Sequence, residues 1–437
     1  MKKILTGFTV LLFVFAQSAQ SAQSAQSAQS AQSMQNTQST QNTQRAQNAQ
    51  NAQRVQRIVI TLNDDYLAEA KQNIKNGDII SQQELKKVVR KADKALEEDI
   101  LYVVQKIDTP PSGSKRDYMS AAAYWFPDTT KKDGLPYIRR DGIRNDNLGE
   151  NKDDIQTMAR NAYNCALAYY FTDENKYARK AAEFIREWFL NSEKGMNPNF
   201  NYAQYVKGRN TGRGAGLIEA RVFYRVLDVA KLIETSKEWT ENDRQQLQKW
   251  FSDFLVWMET SKVGLQENRA KNNHGTYYDA TRLAICFYTN QYDKARNIID
   301  SSVVNRIFIQ QNEDGSMKEE MTRTLSLHYH TFNLEALLLN CMFAQKIGID
   351  LYNYSDVDGS SIKKYIDYLL PFYLQEKKWS GQQIKSFKYE RVIPLLYWFG
   401  KNIDGRENYL VAAEQLEKIL NCRMDKLTGQ NIEKINK

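Results

Sequence analysis

The sequence predicts an all-α fold, an (α/α)n toroid or incomplete barrel of helical hairpins with long loops that carry the site. Three observations lead there. Apolar residues recur at helical spacing through most of the chain from Ser81 onward. Strand-like alternation is scarce, and only 7 prolines interrupt 437 residues. The periodic segments come in pairs with short connections and follow no strict sequence period, which favours a closed toroid over a regular repeat array.

The elements follow in order. Residues 1–22 read as a secretory signal: Lys2 and Lys3 form a charged start, Ile4 to Phe15 an apolar core, and Ala16 to Ala19 a small-residue region for cleavage. The apolar run is too short to span a bilayer comfortably, and no cysteine follows it to take a lipid. The mature chain is therefore expected to be periplasmic or secreted, without membrane insertion. Residues 23–57 are a low-complexity Gln/Ser/Ala tract, too poor in apolar groups to offset chain entropy, and read as a disordered tether. Residues 58–437 form the toroid domain. Helices are predicted near 81–104, 153–171, 174–190, 214–235, 240–259, 274–288, 291–310, 325–347, 361–377, 390–400 and 408–421. Tyr177, Ala178, Ala181, Phe184, Ile185 and Trp188 share one face of the third, and Thr240 with Asp243 forms a capping box ahead of the stripe Leu247, Trp250, Phe251, Phe254, Leu255 and Met258. Two long segments, 119–150 and 191–216, break the helical pattern. Loops of that length inside a helical domain are usually functional, and their aromatic content argues against disorder.

A formal charge of +8 on an exported chain suits a polyanionic partner. No lysine/arginine block or nucleic-acid motif appears, so an acidic polysaccharide fits better than nucleic acid. Cys165, Cys286, Cys341 and Cys422 stand far apart among apolar residues and read as buried free thiols, with one disulfide as the alternative. No metal-ligand spacing and no Gly-x-Ser-x-Gly nucleophile motif is present, so neither metal nor cofactor is expected. A glycosidase needs two facing carboxylates; Asp279, Glu219 and Glu320 exist, but the sequence singles out no pair. Nothing in it fixes an oligomeric state.

Two polar islands carry the chemistry. The first, Glu267 to Asp279, holds Asn272, Asn273 and His274, and His274 is one of only 3 histidines in the chain. The second, Arg323 to His330, holds Arg323, His328, Tyr329 and His330. Abstraction of the C5 proton of a uronic acid, followed by loss of O4, needs donors to neutralise the carboxylate, a base and an acid. Asn272 or Asn273 and His274 supply donors or a base; one asparagine also caps the helix that starts near His274. Arg323 lies within helical reach of Tyr329 and would lower its pKa; a surface ion pair with Glu319 or Glu320 is the alternative. In the loops, Arg139, Arg140, Arg209 and Arg213 suit carboxylates of neighbouring sugars, and Trp125, Tyr137 and Tyr202 suit stacking on sugar rings, against the alternative of loop anchoring. Tyr278, His328 and His330 complete the candidate substrate contacts, with Trp379 and Lys385 as weaker ones in a later loop.

Over roughly 115–345 the chain resembles the alginate lyase superfamily of α/α-toroid polysaccharide lyases. The resemblance rests on six segments in order: Tyr124 to Asp128, Pro136 to Gly142, Met196 to Tyr202, Gly208 to Gly214, Asn272 to Tyr278 and Arg323 to Tyr329. It implies that Asn273 and His274 hold or neutralise the carboxylate, that Arg323 supports that charge, and that Tyr329 shuttles the proton. One departure stands out: the superfamily's polymannuronate lyases place the arginine seven residues before the tyrosine, where Thr322 stands here. The expected activity is β-elimination of a uronate polymer, mannuronate-rich alginate first and glucuronan next. An α/α-toroid glycoside hydrolase and a non-catalytic polysaccharide-binding protein are the alternatives from other classes.

Overall fold

The structure, a computed structural model, describes residues 59–146 and 149–434. The expected signal (1–22) and tether (23–57) lie outside the described residues.

The first two helices begin where side chains satisfy their free amides. Asn63 caps α1 (Asp64–Lys75) by accepting from the Tyr66 amide, and Asp78 caps α2 (Ile79–Leu96) by accepting from Ser81. Next come α3 (Glu150–Thr172), α4 (Asn175–Ile185) with a π turn to Leu190, a 3-10 stretch Gly214–Arg221 leading into α5 (Val222–Leu232), and α6 (Glu241–Thr260). The predicted capping box is present at α6: Asp243 N–H donates to Thr240 Oγ1 at 3.2 Å and Thr240 N–H to Asp243 Oδ2 at 2.8 Å. After α7 (Lys262–Asn268) follow α8 (Asn273–Tyr288), α9 (Tyr292–Ile298), a π turn, α10 (Val304–Gln310), α11 (Lys318–Met321) and α12 (Ser326–Lys346). The last three are α13 (Ile362–Tyr373), α14 (Ile393–Asn402) and α15 (Glu407–Leu420). Three helices, α1, α7 and the four-residue α11, were not predicted, and α2 stops eight residues short of the predicted 104. Most other boundaries fall within three residues of expectation, because the apolar stripes mark them; α13 ends at Tyr373, four before the predicted 377.

The helices pack as hairpins, α2 on α3, α3 on α4 and α14 on α15, while α3 meets α5 and α8 meets α12 around the ring. Gln156 of α3, Val222 of α5, Tyr277 of α8, Leu338 of α12 and Pro394 of α14 all face one central cavity, so these five helices form the inner wall of an all-α toroid. The ring closes through both ends of the described chain: Asp228 accepts from the Ile60 and Thr61 amides at 2.7 and 3.0 Å, Gln430 donates to Thr61 O at 2.8 Å, and Tyr66 meets Trp398 at 5.8 Å between ring centroids. No helix among the described residues is long and apolar enough to cross a membrane.

Every residue of the two predicted apolar stripes is buried. The second stripe joins an aromatic cluster in which Phe223 packs against Trp250, Phe251 and Phe254 with centroids 5.6, 5.3 and 5.1 Å apart. All four cysteines are buried and free. The long segments 119–150 and 191–216 join through a parallel pair, β1 (Met119–Ala121) with β4 (Tyr202–Tyr205). Within the first, β2 (Trp125–Phe126) pairs antiparallel with β3 (Ile138–Arg139). A third short ladder, β5 (Cys422–Met424) with β6 (Ile432–Lys434), sits at the C-terminal end.

Phe251 is wholly buried in the aromatic cluster. Phe251→Ala is expected to cost about 3–5 kcal/mol of stability in denaturant unfolding, the usual cost of emptying an aromatic core position; a loss below about 1 kcal/mol would show that the cluster does not hold the hairpins together.

Candidate active site

The first island starts in α7, whose amides Ser261 caps. Glu267, near its end, is buried, and its carboxylate meets His274 Nδ1 at 2.6 Å. A carboxylate only accepts, so Nδ1 carries the hydrogen and Nε2 keeps its lone pair in the neutral ring. Asn272 caps α8, its side chain accepting from His274 N–H at 3.1 Å. Arg306 ties down the preceding turn by donating to Asn268 O and Ala270 O at 3.1 and 2.8 Å. A Cβ at residue 275 would collide with Ala270 O and the Arg306 guanidinium, so only glycine can follow His274 here.

Asn273 departs from expectation. It is fully buried, and its backbone N–H and side-chain amide both turn to Glu320, at 2.6 Å and at 3.0 Å from each carboxylate oxygen. It therefore does not offer its amide hydrogens to a ligand but positions the start of α8 against the segment that precedes α12. Burial raises the Glu320 pKa, while Asn273 and Arg323 pull it the other way.

In the second island, Arg323 lies before α12 rather than on it, so the helical-face argument for its spacing to Tyr329 does not apply. It stacks instead: its guanidinium carbon lies 3.5 Å from the centroid of the Tyr329 ring. Asp141, not Glu319 or Glu320, is its carboxylate partner, with Nη2 and Nε donating at 2.8 and 3.1 Å. Asp141 also accepts from Thr324 N–H and Oγ1 at 3.2 and 3.0 Å, and from Arg139 at 2.7 Å. Burial alone would raise the Asp141 carboxyl; the hydrogen-bonded Arg323 guanidinium overrides it and holds the group at about 2. The adjoining Gly142 has φ of 76° and lies so close to Thr324 Oγ1 and Ile384 that no side chain fits.

Tyr329 stands in the first turn of α12 with 6 % of its surface exposed, and its hydroxyl lies 2.7 Å from that of Tyr124. Burial raises its pKa well above that of free tyrosine, and Arg323 pulls down by less. The expectation that Arg323 would favour the phenolate is thus outweighed, and the resting group is a phenol. His328 is half-buried; its Nδ1 accepts from Arg391 at 2.7 Å, leaving Nε2–H as donor, and burial followed by the nearby Arg391 lowers its pKa to about 4. His330 is corrected as a substrate contact: it is fully buried, with Nδ1 on Ser326 O at 2.9 Å and Nε2 accepting from Met317 N–H at 3.2 Å. Tyr278 is likewise corrected, being buried with its hydroxyl on Met258 O at 2.9 Å.

The islands meet because α8 packs on α12. One turn beyond Asn273, Tyr277 lies 4.6 Å from Phe332, which in turn contacts the rings of His328 and Tyr329. The loops assemble beside them. Trp125 and Arg139 are cross-strand partners, Arg209 and Arg213 approach the Trp125 ring at 5.1 and 5.8 Å, and Arg209 donates to Tyr137 O at 2.8 Å. Arg140 turns to Phe126 at 5.1 Å instead, and Tyr202 is half-buried in β4. Trp379 donates to Ser326 Oγ at 2.7 Å and buttresses α12. Sequence reasoning missed the roles of Tyr124, Asp141, Glu267 and Arg391. Tyr124, Asp141 and Glu267 stood inside segments already singled out, where their polarity was the available signal.

A family profile described as Alginate lyase matches residues 103–379. Among solved structures, an alginate lyase from Bacteroides ovatus is similar at 37% identity and TM-score 0.78, covering 82% of this chain and 95% of that one. An alginate lyase from a Sphingomonas species matches at 15% identity and TM-score 0.50, covering 83% of this chain and 92% of that one, and so shares the fold. No curated protein matches the chain in sequence.

Burial holds the His330 pKa near 4, against 6.5 for the free side chain. The unfolded chain therefore takes up a proton that the folded one refuses, so His330's contribution is complete above about pH 6.5 and declines as pH falls toward 4. Thermal melts from pH 7 to 4.5 should show a flatter pH dependence for His330→Gln than for the parent; identical slopes would contradict this placement.

Proposed function

Because the chain belongs to the alginate lyase family, we propose that it is an exported polysaccharide lyase that cleaves alginate by β-elimination, leaving an unsaturated uronate end. The observation that carries the reading is the buried Tyr329 hydroxyl, set against the Tyr124 hydroxyl with the Arg323 guanidinium on its ring face. In the reaction the C5–H bond breaks, its electron pair becomes the C4–C5 double bond, the C4–O bond breaks, and O4 takes a proton. Tyr329 is a phenol at rest and suits the last step as the acid. His274 Nε2 keeps its lone pair in the neutral ring, and Glu267 behind Nδ1 stabilises the imidazolium that results, so His274 is assigned as base. The substrate carboxylate, which must bear enolate charge, falls to the donors left over: Arg323 Nη1, which makes no hydrogen bond among the described residues, and His328 Nε2–H. Asn273, Glu320 and Asp141 position these groups.

Family membership favours a lyase over a hydrolase or a binding protein, and the carboxylates agree. Asp279 is spent on Arg306, Glu320 on Asn273, and Glu219 on Lys152, Tyr118 and Ser120. No two are left to face each other across a glycosidic bond. The formal charge of +8 suits a polyanion. Trp125, Tyr137, Arg139, Arg209 and Arg213 form one surface for neighbouring uronate units.

Incubation with alginate is expected to raise ultraviolet absorbance as the conjugated product forms; new reducing ends without it would mean hydrolysis. Tyr329→Phe should lower kcat by about 10²–10⁴-fold while sparing binding, and full activity would remove Tyr329 from the mechanism. A separate base and acid suit polyguluronate blocks, whose C5 hydrogen and O4 lie on opposite faces of the ring, so His274→Gln should lower kcat on them by about 10²–10⁴-fold; undiminished turnover would contradict the assignment of His274 as base.

A further inference from the structure

The toroid's lumen holds a cavity of about 530 Å³ that the reaction above does not use. It shares a wall with the site. Arg391, which donates to His328 Nδ1 at 2.7 Å, lines it, as do Tyr277 and Arg221. The Arg221 guanidinium carbon lies 4.7 Å from the Tyr277 ring centroid and 4.4 Å from that of Phe332, the residue that packs against His328 and Tyr329.

The charges in this lining do not balance. Lys152 pairs with Glu219 at 2.6 Å and Arg391 with Glu335 at 2.5 Å. Arg221 and Arg225 also line the cavity, and neither forms an ion pair among the described residues. Two guanidinium groups without counter-charges, in a partly enclosed space, make a positive well for an anion. Arginine's planar fork suits a carboxylate in particular. The rest of the lining includes Leu338, Met342 and Trp398, an apolar and aromatic surface for a sugar ring rather than a small inorganic ion. The volume lies in the range of small-molecule sites.

We propose that the lumen is a second uronate-binding site, which takes one carboxylated sugar unit with its carboxylate on Arg221 and Arg225. The proposal rests on the uronate-lyase reading for the identity of the sugar. Arg391 and Tyr277 place this site against the catalytic one without making it part of the elimination step.

Calorimetric titration of the wild-type protein with glucuronate and mannuronate, beside glucose, mannose and acetate, tests it, since free sugars carry no bond to cleave. Both uronates are expected to bind at least about tenfold more tightly than the neutral sugars and acetate. Arg225→Gln should weaken uronate binding about tenfold, as loss of a charged hydrogen bond does. Arg225→Lys, which keeps the charge and loses the fork, should fall between, and its intact melt would show that the effect is not unfolding. Absence of uronate binding, equal binding of acetate or neutral sugar, or undiminished affinity in Arg225→Gln would each overturn the proposal. Alginate turnover measured on the same preparation separates the two readings: cleavage without uronate binding overturns the lumen site alone, and uronate binding without cleavage overturns the lyase reading alone.

Discussion

The Asp141 carboxylate holds the candidate site together. It sits in a loop far in sequence from α12, yet it accepts from Arg323, Thr324 and Arg139 at once. Those bonds fix three things: the loop lies over the start of α12, Tyr124 reaches the Tyr329 hydroxyl, and the Arg323 guanidinium lies flat on the Tyr329 ring. A carboxylate held at about 2 stays ionised throughout the physiological range, so the clamp does not loosen with ordinary pH changes. Removing one partner of such a half-buried network leaves the others unpaired, which costs far more than the pair contributes in solution.

Within that clamp, burial and charge compete over Tyr329, and burial prevails. A phenol with a raised pKa is a ready proton donor to a leaving oxygen and a reluctant base. His274 is placed oppositely: Glu267 accepts from one nitrogen, so the other presents its lone pair. Two titratable groups whose surroundings set them to different tasks are the usual basis of acid and base roles in one site. The buried Asn273–Glu320 contact makes the arrangement possible, because it registers the start of α8, which bears His274, against the turn that leads to Tyr329.

Much of the fold was legible in the sequence, for a definite reason. The stripe from Leu247 to Met258 and the face from Tyr177 to Trp188 bury one side of a helix each, and a period of 3.6 survives in the residue order. α7 was missed because its seven residues are too few to show a period. The histidine and tyrosine of the site were legible because they stand in two polar islands of a chain with only 3 histidines. Their partners were less so: Asp141 and Arg391 act across long stretches of chain, and long-range pairing leaves no local pattern. His330 misled because rarity of histidine suggests a role, while its two nitrogens serve the Ser326 carbonyl and the Met317 amide in the core. Asn273 misled similarly, since sequence gives the donor but not the buried carboxylate that takes it.

The central claim is that Tyr329 enters the reaction as a phenol, and its ionisation can be observed directly. In protein labelled with [13Cζ]tyrosine, the resonance lost in Tyr329→Phe identifies the residue. It should remain at the phenol position at about pH 9, where free tyrosine begins to ionise. A resonance already at the phenolate position near about pH 7–8 would mean that Arg323 outweighs burial, and would make Tyr329 the base.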